Sequence, residues 1–302
     1  MRYACLIYYH PKTLFGGSAE ANAVLAECAT YDDKLKEGGH FVMGEALELP
    51  ESAMTVQVRG GKMSSVDAPF MVIYLIFNEG YSATQGPDLI RTDLCARAIR
   101  LGRLVVDLLD EPEALGLLGL MLLHEARQSA RVDSMGDLVL LENQDRLLWD
   151  RKQITEAQQL IERAFAARRV GPYILQAAIA AVHAEAQSVG ETGWARIVAL
   201  YDVLVRVDPS PVVALNRAVA IGMREGPDAG LAAIDTVLGR GGLNDYHLAH
   251  AARADMQRRL GLAEAARASY QRALELTHHC AERRFLQARL TELAREQTNE
   301  RR

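Results

Sequence analysis

The chain has 302 residues and a formal net charge of −5, with 49% apolar and 24% charged side chains. This is the composition of a globular protein long enough for two domains, and its acidic balance argues against a protein that grips nucleic acid unaided, because phosphate neutralisation needs clustered Lys and Arg. Pro69–Phe77 and Leu115–Leu123 are apolar runs of nine residues each, against the roughly 20 that a membrane-spanning helix needs.

Cys5, Cys28, Cys95 and Cys280 are far apart and show no CxxC spacing, the pattern of reduced, mostly buried thiols in a cytoplasmic protein. The apolar run after Arg2 stops at His10-Pro11, too short for a signal peptide. Tyr3–Tyr9 reads as a strand. Glu20–Lys36 follows with apolar residues at helical spacing, and Gly38-Gly39 ends that helix. His40–Leu47 and Met54–Arg59 read as further strands, and Gly60-Gly61 turns the chain into a fourth, Lys62–Val66.

Met1–Tyr9, Gly39–Leu47 and Val66-Asp67-Ala68-Pro69-Phe70-Met71 carry a resemblance to the YCII-related family, in its branch with an Asp-Gly-Pro-Phe signature. Ala68 stands where that signature has Gly. The resemblance implies a ferredoxin-like fold, here cut short after Phe70. Such a fragment leaves an open sheet edge that must pair with a second copy, giving a homodimer, or pack on the rest of the chain. It also implies His10, His40 and Asp67 as catalytic candidates, although a lone His near a strand end is more often a surface or hydrogen-bonded residue.

From Phe70–Val72 onward the character changes to helices. Leu89–Leu109 is amphipathic, with Ile90, Leu94, Ala98, Leu101 and Val105 on one stripe, and Glu111-Pro112-Glu113 starts the next helix. Gly116 and Gly119 either let another helix approach closely or merely weaken their own. Arg163, Arg168 and Arg169 read as a positive helix C-terminus. Val198–Val207, Ala229–Leu238 and Ala265–Leu276 read as second helices of successive hairpins, with Tyr201, Ile234 and Tyr270 in corresponding places 33 and 36 residues apart. Gly190, Gly226 and Gly261 mark the turns. This is the period of a tetratricopeptide (TPR) repeat, whose stacked hairpins leave a concave face for a peptide or protein.

Ile73–Ala83, Leu115–Arg131, Leu138–Arg146, Trp149-Asp150-Arg151, Gly171-Pro172-Tyr173, Ser210–Ala220 and Tyr246–Leu260 together resemble the TPR-containing C-terminal extension of one group of extracytoplasmic-function sigma factors. That resemblance implies a transcription regulatory role with RNA polymerase as a protein partner. Promoter recognition in that family belongs to N-terminal helical domains expected to be absent here, so autonomous DNA binding is not expected.

The densest polar cluster is His124, Glu125, Arg127, Arg131 and Asp133 with Glu142, Asp145, Arg146, Trp149, Asp150 and Arg151. On one continuous helix His124, Arg127 and Arg131 would share a face. Near-balanced charges read as a salt-bridged joint between helices, with Trp149 as a packing anchor; the alternatives are a charged ligand site or acid–base chemistry. His278-His279-Cys280 lacks ligand spacing. No Walker loop, GxGxxG, GxSxG or HExxH occurs, so no metal or cofactor is expected. The expected architecture is mostly α with a small α+β N-terminal part: a truncated ferredoxin-like fragment (1–71), a sigma-extension helical region (72–170) and a TPR-like α-solenoid (171–302). A YCII-like small enzyme or metabolite-binding protein, or a fusion product without an evolved role, are the competing readings.

Overall fold

The computed structural model describes residues 67–83, 90–109, 111–133 and 136–300. The expected N-terminal strands and helix, together with His10 and His40, lie outside these residues. The chain divides into two compact units, Met1–Ala68 and Pro69–Arg302, and nearly all the described residues belong to the second. The described residues form eleven α-helices, short 3-10 turns and one isolated bridge.

Helix α1 (Asp67–Tyr81) runs straight through the expected seam at Phe70–Val72. Pro69–Phe77 is apolar on nearly every side, which blurs its period. The burial nonetheless is helical: Phe70, Ile73 and Phe77 are at most 6% exposed. Asp67 is the first residue of this helix. Helix α2 (Thr92–Leu108) buries Cys95, Ala98 and Gly102, and α3 (Pro112–Glu125) is buried almost all round from Ala114 to Leu123. That is the signature of a central helix, and α3 packs against α2, α4 (Arg151–Ala166) and α5 (Pro172–Glu185).

Two features let these helices close up. A β-carbon added at Gly116 would stand 2.6 Å from the Ile174 backbone nitrogen, and one at Gly119 would stand 3.2 Å from Ile161 Cγ1. The paired glycines therefore mark close approaches to α5 and α4. Glu113 then reaches from α3 to the start of α5, where its carboxylate accepts the Tyr173 and Ile174 amides at 3.0 and 3.3 Å. A carboxylate there satisfies orphan donors and complements the helix dipole. Because α3 lies along α5, residues on either side of position 170 share the first core cluster.

The rest is a stack. Helices α6 (Trp194–Val207), α7 (Pro211–Glu225), α8 (Pro227–Gly239), α9 (His247–Arg259), α10 (Ala263–Leu276) and α11 (Cys280–Glu300) each pack chiefly on their sequence neighbours. The core is divided accordingly. One cluster joins α5, α6 and α7, another α7, α8 and α9, and a third α9, α10 and α11. Nearest-neighbour burial of this kind defines a solenoid. The three second helices are the ones the repeat predicted, with Ile234 and Tyr270 at most 2% exposed and Tyr201 partly buried. Gly226 joins α7 to α8 alone, at φ 105°, a value side chains avoid. No helix among the described residues is long and apolar enough to cross a membrane.

Candidate functional site

A cavity of about 370 Å³ lies along the first helices of the hairpins. Helix α9 supplies Leu248, Ala251, Ala252, Asp255 and Arg259, which recur at helical spacing along one face. Val219 and Met223 come from α7, His183 from α5, and Phe285, Leu286 and Arg289 from α11. Leu248 is 45% exposed, an apolar side chain left open in an apolar groove. The volume falls in the usual range for binding clefts, about 300–1,000 Å³.

Several polar groups of this groove have side-chain partners. His247 Nε2 is 3.1 Å from Glu282 Oε2, and the Thr277 hydroxyl donates to the same oxygen at 2.6 Å. The His247 hydrogen bond, offset in part by burial and assisted by Thr277, holds the Glu282 carboxyl below its ordinary range. Asp255 accepts from Arg258 and from Arg259, each at 2.7 Å. Arg289 lies 5.3 Å over the Phe285 ring. An apolar floor edged by fixed charges is suited to recognition of an extended ligand.

The long connection from α3 to α4 also lines the groove. Asp133 turns it: the Asp137 amide donates to Asp133 Oδ1 at 2.9 Å, and Val132 and Leu138 form an antiparallel bridge. Leu138, Leu140, Leu141 and Glu142 then line the cavity opposite α9. Asp137 pairs with Arg284 of α11, whose Nη2 also donates to the Gly136 carbonyl at 3.2 Å. Glu142 lies 3.6 Å from Arg259.

The structure brings the expected polar residues together in a different way from the sequence reading. Helix α3 stops at Glu125, so His124, Arg127 and Arg131 do not lie on one helix face. They converge instead on Tyr81. Arg127 Nη2 lies 3.1 Å from the Tyr81 hydroxyl and 2.8 Å from His124 Nδ1. Arg131 donates to the Tyr81 carbonyl and stacks 3.4 Å over its ring. Burial first, then the Arg127 and Arg131 charges, keep His124 well below its ordinary pKa.

The acids of this stretch cap turns. Asp145 accepts from the Leu147 amide at 2.9 Å, and Asp150 caps α4 through the Lys152 and Gln153 amides at 2.9 and 3.2 Å. Arg146 donates to the carbonyls of His183 and Ala186 at 2.8 and 2.7 Å and stacks 4.6 Å over buried Trp149. Arg151 donates to the Arg146 carbonyl at 3.5 Å. Among the described residues the joint is thus built mainly from backbone capping and arginine–aromatic stacking. The sequence reading passed over the groove face of α9 and its partners on α11; the second apolar stripe of α9, at Leu248, Ala251 and Ala252, was the available signal.

A model of a family of unknown function, DUF6596, matches residues 66–165, across the helices that lead into the repeats. An uncharacterized protein of Rhizobium meliloti (strain 1021) is 48% identical over 226 residues, 74% of this chain and 53% of that protein. The chain therefore spans about half the length of this curated relative. Among solved structures, a thermophilic TPR protein in Thermus thermophilus, TTC0263, aligns with a TM-score of 0.47 at 17% identity, over 76% of this chain and 98% of that one.

Proposed function

We propose that this chain is a helical-repeat interaction module of a sigma-factor-related transcription regulatory protein, taking a segment of a protein partner along the groove between α7, α9 and α11. The observation that carries the reading is the groove itself: an apolar strip with Leu248 standing open, edged by the His247–Glu282 and Asp255–Arg259 pairs. Stacked hairpins support the interaction role, and the likeness of residues 72–293 to the sigma-factor extension supports RNA polymerase as the partner. The domain reading that accompanies it keeps a YCII-related fragment at 1–71, sigma-extension helices at 72–170 and repeats at 171–302. The residues around Tyr81, Arg131 and Arg146 serve as the joint that sets the connection across the groove.

Purified RNA polymerase passed over the immobilised full chain, beside its Leu248→Asp variant, tests this. The wild type retains polymerase, and the variant, with unchanged helix content and melting, loses at least ten-fold in affinity. Polymerase that ignores the wild type removes the transcription reading, and equal retention by both proteins removes the groove.

A further inference from the structure

The connection from α3 to α4 covers residues 126–150, whereas helix–helix connections in bundles usually take about 2–8 residues. A connection of that length, part of which lines a groove, calls for a physical reason. Its middle reads Asp137-Leu138-Val139-Leu140-Leu141-Glu142: leucines between two acids. Three leucines line the cavity, Leu140 is extended at φ −62° and ψ 149°, and the flanking acids meet Arg284 on α11 and Arg259 on α9. The Val139 amide is tied back to the Arg131 carbonyl at 2.8 Å. Leu138 and Leu140 alternate and Leu141 opens a 3-10 turn, Leu141–Asn143; a peptide docked in a helical groove is held in a similar manner, by apolar side chains and flanking charges.

The hold is weak. Leu138, Leu140 and Leu141 are only partly buried. Arg284 and Asp137 are each close to half exposed, and exposed ion pairs contribute little. Arg259 already has Asp255 at 2.7 Å, so Glu142 at 3.6 Å is its second partner. Leu147, just beyond, is 90% exposed.

We propose that residues 137–142 are a built-in occupant of the groove, and that the groove's partner is an extended polypeptide of the same chemistry, leucines flanked by acidic side chains, which binds by displacing them. The proposal rests on the groove being the recognition surface. Arg284 and Arg259 then receive the acids of the incoming segment, while Leu248, Met223 and Phe285 receive its leucines. Tethering gives the internal segment an effective concentration on the order of millimolar, so a free peptide competes poorly until the ion pairs are broken.

The probe is a fluorescent peptide copying residues 136–143, titrated by anisotropy into the full wild-type chain and into the Asp137→Arg/Glu142→Arg variant. The variant binds at least ten-fold tighter than the wild type, a peptide with its leucines changed to serine binds neither, and excess peptide speeds hydrogen exchange at the Val139 amide of the wild type. Equal affinity for both proteins, or binding to neither, overturns the proposal. Should the double variant fail to fold, the wild-type exchange measurement decides alone: unchanged protection at saturating peptide overturns it. If Leu248→Asp still costs polymerase binding while the peptide arm fails, the groove stands and only self-occupancy falls.

Discussion

His183 shows how a single residue can couple the fold to pH. Burial, then the Arg127 and Arg146 charges, lower its imidazole from 6.5 to about 4. The unfolded chain therefore takes up this proton first as pH falls, so the stabilising contribution is complete above pH 6.5 and is lost between 6.5 and about 4. A gap of that size corresponds to roughly 3 kcal/mol. His124 acts in the same sense, again chiefly through burial. Urea midpoints are expected to drop steeply from about pH 7 to about pH 4.5, and His183→Gln is expected to flatten that drop; an unchanged slope in the variant would assign the effect elsewhere. None of this was legible beforehand. His183 has no partner spacing in the sequence, and its burial against the Trp194 ring, 5.2 Å away edge-on, exists only after α5 and α6 pack.

At the scale of elements, local rules carried far. Pro112, Pro172, Pro211 and Pro227 each sit in the first turn of a helix, where a missing N–H costs nothing. The alternative left open at Gly116 is resolved by the neighbour it meets. Gly116→Ala gains about 1 kcal/mol of helix propensity, but the new methyl meets the Ile174 backbone at 2.6 Å, and overpacking of this kind costs about 1–3 kcal/mol. Backbone cannot rotate away, so the loss prevails. Denaturant unfolding should show Gly116→Ala destabilised by up to about 2 kcal/mol, whereas Gly190→Ala, whose added methyl meets nothing within 4 Å, stays within about 0.5 kcal/mol of wild type. Where periodicity failed was α1. Its apolar run has no polar face to reveal a period, so the helix start at Asp67, inside the segment assigned to the YCII-like fragment, did not show in the pattern.

From α5 onward the second unit is a row of interfaces rather than one core. Helix α11 covers Ala254, Ala266, Tyr270 and Ala273 with Leu286 and Leu293. A chain ending at Thr277 would expose that cluster. It is expected to melt lower and to self-associate in sedimentation, and a monomeric truncation with the full-length melting temperature would show α11 to be dispensable. The stacked arrangement also keeps a groove open, as the repeat predicted. What the repeat did not predict is that the chain lays its own connection along it.

The sequence alone determined the second helices of the hairpins, their period and their turn glycines, because turn geometry and side-chain periodicity act over a few residues. The tertiary structure decided which faces meet. Asp137 and Arg284 are 147 residues apart and touch. Arg127 and Arg131 lie beyond the helix that ends at Glu125 and meet His124 at Tyr81, and most of the cluster read as a salt-bridged joint is held by caps and stacked guanidinium groups. Contacts between distant segments depend on how the helices stack, which no local pattern encodes.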